Sequence, residues 1–300
     1  MGTDEWEKAG RRRHLSGVEI FTLEMGPFED ELYEPLLVIH GFPTSSFDYR
    51  LVAGGLAKNR KVLLLDLPGF GLSAKPDIRY SVEMHADIVM AYVSELGVTA
   101  LSLMTHDMGD TVGGELLARH TEGRWPVDVK RRVLTNGSIY LEMAHLTDGQ
   151  QLLLALPDEA VATGPDRTAL AAALAATMAA GSTAARDDLA GDAELICREG
   201  GNTLLTRTIR YVEDRRRAED RYTGAIENHP SRLGVIWGSE DPIAVREMTT
   251  RLVQRRPDAS LFMLDGVGHY PMLEAPDEFL AATSRILDPD ASDQASDGVG

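Results

Sequence analysis

"LMTHDMGDTVGGELL", residues 103–117, decides how the rest of the chain is read. A strand-like apolar run ends at His106, a polar tip follows at Asp107, and a stretch with helical periodicity begins at once. The pattern predicts a buried strand, a sharp turn and a helix, with Asp107 at the tip. Gly109 and Gly113 would let such a helix lie close against its neighbours.

Working outward, short apolar runs alternate with helical stretches, as expected for a mostly parallel sheet covered by helices. The runs are 18–25, 35–41, 61–71, 100–106, 131–137, 232–238 and 260–266. Several are continuously apolar, as strands buried on both faces should be. Residues 81–97 read as a helix opened by Ser81 and closed by Gly97. Between 140 and 230 no strand-like run occurs; the segment is helical and rich in Ala and Leu, as in "TALAAALAATMAA" (168–180). The expected division is a core of 1–139 and 231–287, a helical lid of 140–230, and a disordered tail of 288–300. The runs Arg11–Arg13 and Arg215–Arg217 read as solvated faces.

Composition narrows the partners. Of 300 residues, 30 are Lys or Arg and 47 Asp or Glu, a formal charge of −17 that disfavours nucleic acid and anionic lipid. A single cysteine, Cys197, cannot form an internal disulfide. The charged N-terminus lacks the apolar region of a signal peptide, and no apolar run reaches spanning length. A cytoplasmic protein without a membrane partner is expected, with the oligomeric state open, a homodimer included. No His/Cys/carboxylate cluster has metal-ligand spacing, and neither metal nor organic cofactor is expected.

Asp107 has two readings. It caps the helix that follows, or it is a nucleophile. An ordinary aspartate, with a pKa of ~3.9, is ionised near neutrality and needs no base for that role, and a helix N-terminus favours its charge. A carboxylate attacking an ester would form an anhydride. Attack on saturated carbon forms an ordinary alkyl ester that water can cleave. The residue type therefore selects an electrophilic sp3 carbon bearing a leaving group.

"HDMGD" on strand-turn-helix, "HGFPTSS" (40–46), "GSEDP" (238–242) and "GVGHYP" (266–271) together resemble the α/β-hydrolase fold, an eight-stranded, mostly parallel sheet with an inserted lid. Aspartate at the elbow is similar to the epoxide hydrolase and haloalkane dehalogenase branch. "HGFPTSSFDYR", "HDMGDTVGGELL", "NGSIYLEMAH" and "RYVEDRRRAEDRY" look like its MEST-type subgroup. The order nucleophile, acid, histidine is also that of such hydrolases. The resemblance implies His269 as general base, backed by Asp241, which otherwise reads as a turn aspartate before Pro242. The other position related enzymes use for the acid is Asn136 here, which cannot supply the charge. The resemblance also implies an oxyanion hole from the N–H groups of Phe42 and Met108, and a cis bond before Pro43.

Two departures bear on substrate. Dehalogenases of this branch hold the halide with Trp after the nucleophile and a lid Trp or an Asn; here Met108 and Phe42 stand at the first positions, and 140–230 contains no Trp. Epoxide opening needs an acid, usually a lid tyrosine. Tyr211 falls with Leu204 and Thr208 on one helical face, where it could border a pocket, though a packed tyrosine would show the same spacing. His145 is the candidate to stand in for the first lid tyrosine of the usual pair, Tyr211 matching the second. The expected activity is opening of epoxides to vicinal diols, with a small hydrophobic electrophile and water as substrates. Haloalkane dehalogenation is the alternative, followed by ester or lactone hydrolysis and by ligand binding without turnover.

Overall fold

A computed structural model of the chain describes residues 1–27 and 33–288. The expected tail, Asp288 apart, lies outside the described residues. Eight strands form one sheet: β1 (Arg11–Leu15), β2 (Val18–Met25), β3 (Leu36–Ile39), β4 (Val62–Leu65), β5 (Ala100–His106), β6 (Asp128–Thr135), β7 (Arg232–Gly238) and β8 (Ser260–Leu264). Their order is β1-β2-β4-β3-β5-β6-β7-β8. β1 and β2 pair antiparallel at one edge, β2 pairs antiparallel with β4, and every pair from β4 to β8 is parallel.

The mostly parallel sheet follows from the sequence. β3 "LLVI" and β4 "VLLL" are buried at every residue, because helices cover both faces of a parallel sheet. The helix Val82–Glu95 runs as expected, with the Ser81 side chain accepting from the Met84 N–H and Gly97 at positive φ.

β1 carries Arg11–Arg13: Arg11 and Arg12 are exposed, as a solvated face should be, and Arg13 is half-buried. Alternation along an edge strand sends Arg12 to Glu7 and Glu19, and turns Arg13 onto Glu24 at 2.6 Å. Ion pairing satisfies the guanidinium groups at a place where lysine and arginine also discourage further strand pairing. The reading of Arg215–Arg217 as a solvated face is corrected at Arg215, which is buried while Arg216 and Arg217 are exposed.

Between β6 and β7 the described residues form only helices, turns and one isolated bridge, Ala144 to Ala244. The stretch read as one helical face from Leu204 to Tyr211 is two short helices, Leu205–Thr208 and Tyr211–Arg217. Among the described residues no helix is long and apolar enough to cross a membrane.

Two close approaches position the chain ends that matter. A Cβ on Gly109 would lie 2.5 Å from the Ile39 carbonyl oxygen, so only glycine lets the helix Met108–Thr121 start against β3. A Cβ on Gly238 would lie 2.0 Å from the Gly268 carbonyl oxygen and 2.6 Å from that of Val267, which presses the end of β7 onto the loop carrying His269. Gly238→Ala should therefore destabilise the chain by about 1–3 kcal/mol, the usual cost of overpacking. Urea denaturation checks this: the midpoint should fall with the slope unchanged.

Candidate active site

Asp107 ends β5 at φ 51° and ψ −115°, a conformation that non-glycine residues rarely adopt. That turn lifts the side chain off the helix, and it makes no capping hydrogen bond. Its Oδ2 instead accepts from the Phe42 N–H at 2.8 Å, and its Oδ1 lies 3.9 Å from His269 Nε2. Met108 is the first residue of the following helix, so its N–H has no intrahelical acceptor. Of the two amides expected to form an oxyanion hole, that of Phe42 contacts the carboxylate and that of Met108 follows it directly in the chain. Phe42–Pro43 is cis.

The loop bearing Phe42 is held from β4. Asp66, just past that strand, accepts from the Ser46 N–H at 2.9 Å and from the Leu72 N–H at 2.7 Å, joining the "HGFPTSS" and "PGFGLS" turns. His40 completes the clamp: its Nε2 accepts from the Leu67 N–H at 3.0 Å while Nδ1 faces the Gly41 carbonyl at 2.8 Å. Burial pushes its pKa down, so it serves as a neutral brace.

His269 is 2% exposed, and its Nδ1 lies 2.8 Å from Asp241 Oδ2. Burial alone would lower its pKa. The charge of Asp241 and its hydrogen bond, then the charges of Asp107 and Glu274, outweigh burial and push it up to about 9. Asp241 is oriented by three donors. Oδ1 accepts from the Ile243 and Ala244 N–H groups at 2.8 and 3.1 Å, and Oδ2 accepts from Asn136 Nδ2 at 2.7 Å. Asn136 also accepts from the Gly238 N–H at 3.1 Å, linking β6 to β7.

Glu274 fastens the histidine loop. Its carboxylate accepts from the N–H groups of Gly268 and Tyr270, each at 2.9 Å. It also accepts from the Ala179 N–H at 2.9 Å and the Ser182 hydroxyl at 2.7 Å, both in the helical segment between β6 and β7.

A cavity of about 480 Å³ with an almost wholly apolar wall opens over this cluster. Phe42, His269 and Tyr270 form its floor, and Leu152, Ala173 and Leu205 of the helical segment are among its other wall residues. Asp107 is not itself in the wall; it touches two residues that are. A smaller chamber of about 80 Å³, bordered by Tyr211, Arg215 and Ser138, shares Gln150 and Ile243 with the larger cavity.

Tyr211 is buried with its ring 6.0 Å from that of Phe42, and its hydroxyl makes no hydrogen bond to another described residue. Burial, followed by the negative charge of Asp107, raises its pKa well above the ordinary tyrosine value, and Arg215 opposes that rise. The other tyrosines of the segment are spoken for: the Tyr140 hydroxyl donates to Glu227 at 2.8 Å, and that of Tyr222 reaches Glu83 at 3.5 Å. His145 is exposed and borders neither cavity; its N–H donates to the Ile243 carbonyl. The structure thus brings together Asp107, Asp241, His269, Phe42, Met108 and Tyr211, and leaves His145 outside.

Sequence reasoning missed Tyr270, Asn136 as a partner of Asp241, Arg215 and Glu274. For Tyr270 the signal was its place beside His269 on the same loop. For Arg215 it was the four-residue step from Tyr211.

Comparison with known proteins agrees with this architecture. LipZ of Mycobacterium tuberculosis (strain CDC 1551 / Oshkosh) is 34% identical over 94% of this chain and 97% of its own length. The mesoderm-specific transcript protein of Mus musculus is 29% identical over 92% of this chain and 85% of its own. The enol-lactonase from Burkholderia xenovorans LB400 superposes with a TM-score of 0.74 at 18% identity, covering 93% of this chain and all of that one, a likeness of fold alone. A profile of the Alpha/beta hydrolase family matches residues 36–282. With that match added to the sheet order and the strand-end cluster, the chain belongs to the alpha/beta hydrolase family.

Proposed function

We propose that the protein opens epoxides to vicinal diols through an alkyl ester on Asp107. The observation that carries this reading is the Asp107 carboxylate itself, held on the Phe42 N–H within 3.9 Å of a histidine that Asp241 orients. A serine at the elbow would serve acyl transfer. A carboxylate is suited to displacement at saturated carbon, and its product, an ordinary ester, is one that a histidine-activated water can cleave.

In the first step Asp107 Oδ1 bonds to an epoxide carbon, the carbon–oxygen bond breaks, and Tyr211 gives its proton to the leaving oxygen. His269 is protonated in the resting site, and its proton passes to the phenolate, restoring Tyr211 and freeing the base. His269 then takes a proton from water as the hydroxide attacks the ester carbonyl. The Phe42 and Met108 amides hold the oxyanion; on collapse the bond from the carbonyl carbon to the alkyl oxygen breaks, that oxygen takes the proton of the added hydroxyl, and the diol leaves. Asp107 ends as a carboxylate, His269 as an imidazolium and Tyr211 as a phenol, so the cycle closes without net proton uptake. Residues 140–230 act as the lid on a core of 1–139 and 231–287, and the apolar cavity takes the hydrophobic body of the substrate.

Halide departure is the less favoured reading because neither Met108 nor Phe42 offers a side-chain donor. Trapping separates the two. His269→Ala lacks the base and should accumulate the ester on incubation with epoxides and bromoalkanes, read by intact mass and peptide mapping. A hydroxyalkyl adduct on Asp107 is expected; a plain alkyl adduct alone would move the function to dehalogenation, and an unmodified Asp107 would falsify both.

Alkylation removes the Asp107 charge, one of the influences holding the His269 pKa near 9. Decay of the alkyl-enzyme should therefore rise with pH through a pKa lower than that of the resting enzyme. Single-turnover decay rates set against an NMR titration of the imidazole check the difference.

The same shift bears on stability. A histidine pKa raised above its unfolded value of ~6.5 stabilises the folded chain fully below that pH. This contribution is lost as pH climbs through about 9. Wild type and His269→Ala should then differ in the slope of unfolding free energy between those limits, measured by denaturant titration across pH. Equal slopes would remove the ion pair from the account.

A further inference from the structure

Arg215 is a buried cation that the mechanism above leaves unused. It is 3% exposed and sits one helical turn beyond Tyr211, so the two side chains leave the same face. One terminal nitrogen donates to the Ser138 carbonyl and the other to the Thr111 hydroxyl. These anchors flank the elbow, Thr111 lying one turn past Asp107 and Ser138 just beyond the end of β6.

Among the described residues no carboxylate forms an ion pair with Arg215. The charged and titratable groups that bear on it are Tyr211, Asp107, Asp110 and, more weakly, Glu219. Asp110 is fully buried; burial pushes its carboxyl well above the usual carboxylate range, against the Thr105 hydrogen bond and the charge of Arg215, and it makes no ion pair with Arg215 among the described residues. A guanidinium without a paired carboxylate is costly to bury. Here the charge faces the chamber that Tyr211 borders, on the side of the nucleophile.

We propose that Arg215 is a positioning residue for proton delivery: pinned between Ser138 and Thr111, it stabilises the Tyr211 phenolate that forms when the proton passes to the substrate oxygen. The proposal rests on Tyr211 as the acid. Without the cation, ring opening would leave the phenolate in a buried site with no fixed positive charge beside it. With it, the negative charge passes from Asp107 to Tyr211 within reach of one fixed positive charge, and the local charge stays balanced through the step.

The test measures alkylation of Asp107 in the His269→Ala background, by mass, with aryl epoxides whose substituents make the departing alkoxide progressively less basic. Arg215→Gln keeps an amide donor and loses the charge. It should slow opening of the most basic leaving oxygen by at least about tenfold, a part of the roughly 10²–10⁴-fold that general acid catalysis supplies. The penalty should shrink along the series, and in a Tyr211→Phe background Arg215→Gln should add nothing. Arg215→Lys, which keeps the charge, should recover part of the loss and serves as the readout if the glutamine variant does not fold.

A penalty uniform along the series, or one that persists without Tyr211, would make Arg215 a packing element and overturn the proposal. Trapping that proceeds normally in Tyr211→Phe would reject Tyr211 as the acid while leaving the nucleophile in place. No adduct with any epoxide would withdraw the function and the role of Arg215 together.

Discussion

A carboxylate held on a backbone N–H at the end of a buried strand is the constraint around which this molecule is arranged. Keeping Asp107 at positive φ costs on the order of 1–3 kcal/mol, and the conformation persists only because its surroundings over-determine it. The Phe42 amide holds the carboxylate in front, Gly109 seats the helix against β3 behind, and the backbone N–H of Asp107 donates to the Thr135 carbonyl of β6. Burying that charge then requires a countercharge, which the imidazolium of His269 supplies through its own attachment to Asp241. Resting ion pair and proposed catalytic apparatus are thus the same set of atoms.

Much of the fold was legible because parallel strands leave a strong mark. β3, β5 and β7 are short, apolar and closed by turns, and each was found within a residue or two, while β4 fills only the first half of its run 61–71, the rest being the Pro/Gly turn. β1 was invisible for a physical reason: as an edge strand it carries "RRRHL", whose apolar content is one leucine, and it is held by its ladder with β2, whose Glu19 and Glu24 meet its arginines. The helical segment was legible as helical but not in its breaks, since Leu205–Thr208 and Tyr211–Arg217 share a periodicity that one continuous helix would also show.

The site divides in the same way. Asp107, His269 and Asp241 sit in local contexts (elbow, Gly-rich loop, acid turn) that sequence displays directly. Asn136 was considered only as an alternative acid and set aside for lacking charge; its actual contact is a hydrogen bond to the acid, a relation across strands β6 and β7. Arg215 was grouped with Arg216 and Arg217 because three consecutive arginines look alike in a string. On a helix their directions diverge by about 100° per residue, and one of them turned inward. His145 failed for the opposite reason: proximity in sequence to the segment start placed it on the outer surface, where only its backbone is engaged.

The Glu274 carboxylate touches both sides of the molecule at once. Two of its four bonds hold the loop of His269, and two hold the chain between β6 and β7 that covers the cavity. Cover and base are therefore mechanically one part. On the proposed reading of that segment as a lid, it is not an exchangeable cap: grafting another in its place would also reset the aim of the imidazole unless donors equivalent to Ala179 and Ser182 came with it. Under that reading, selectivity and chemistry are inherited together.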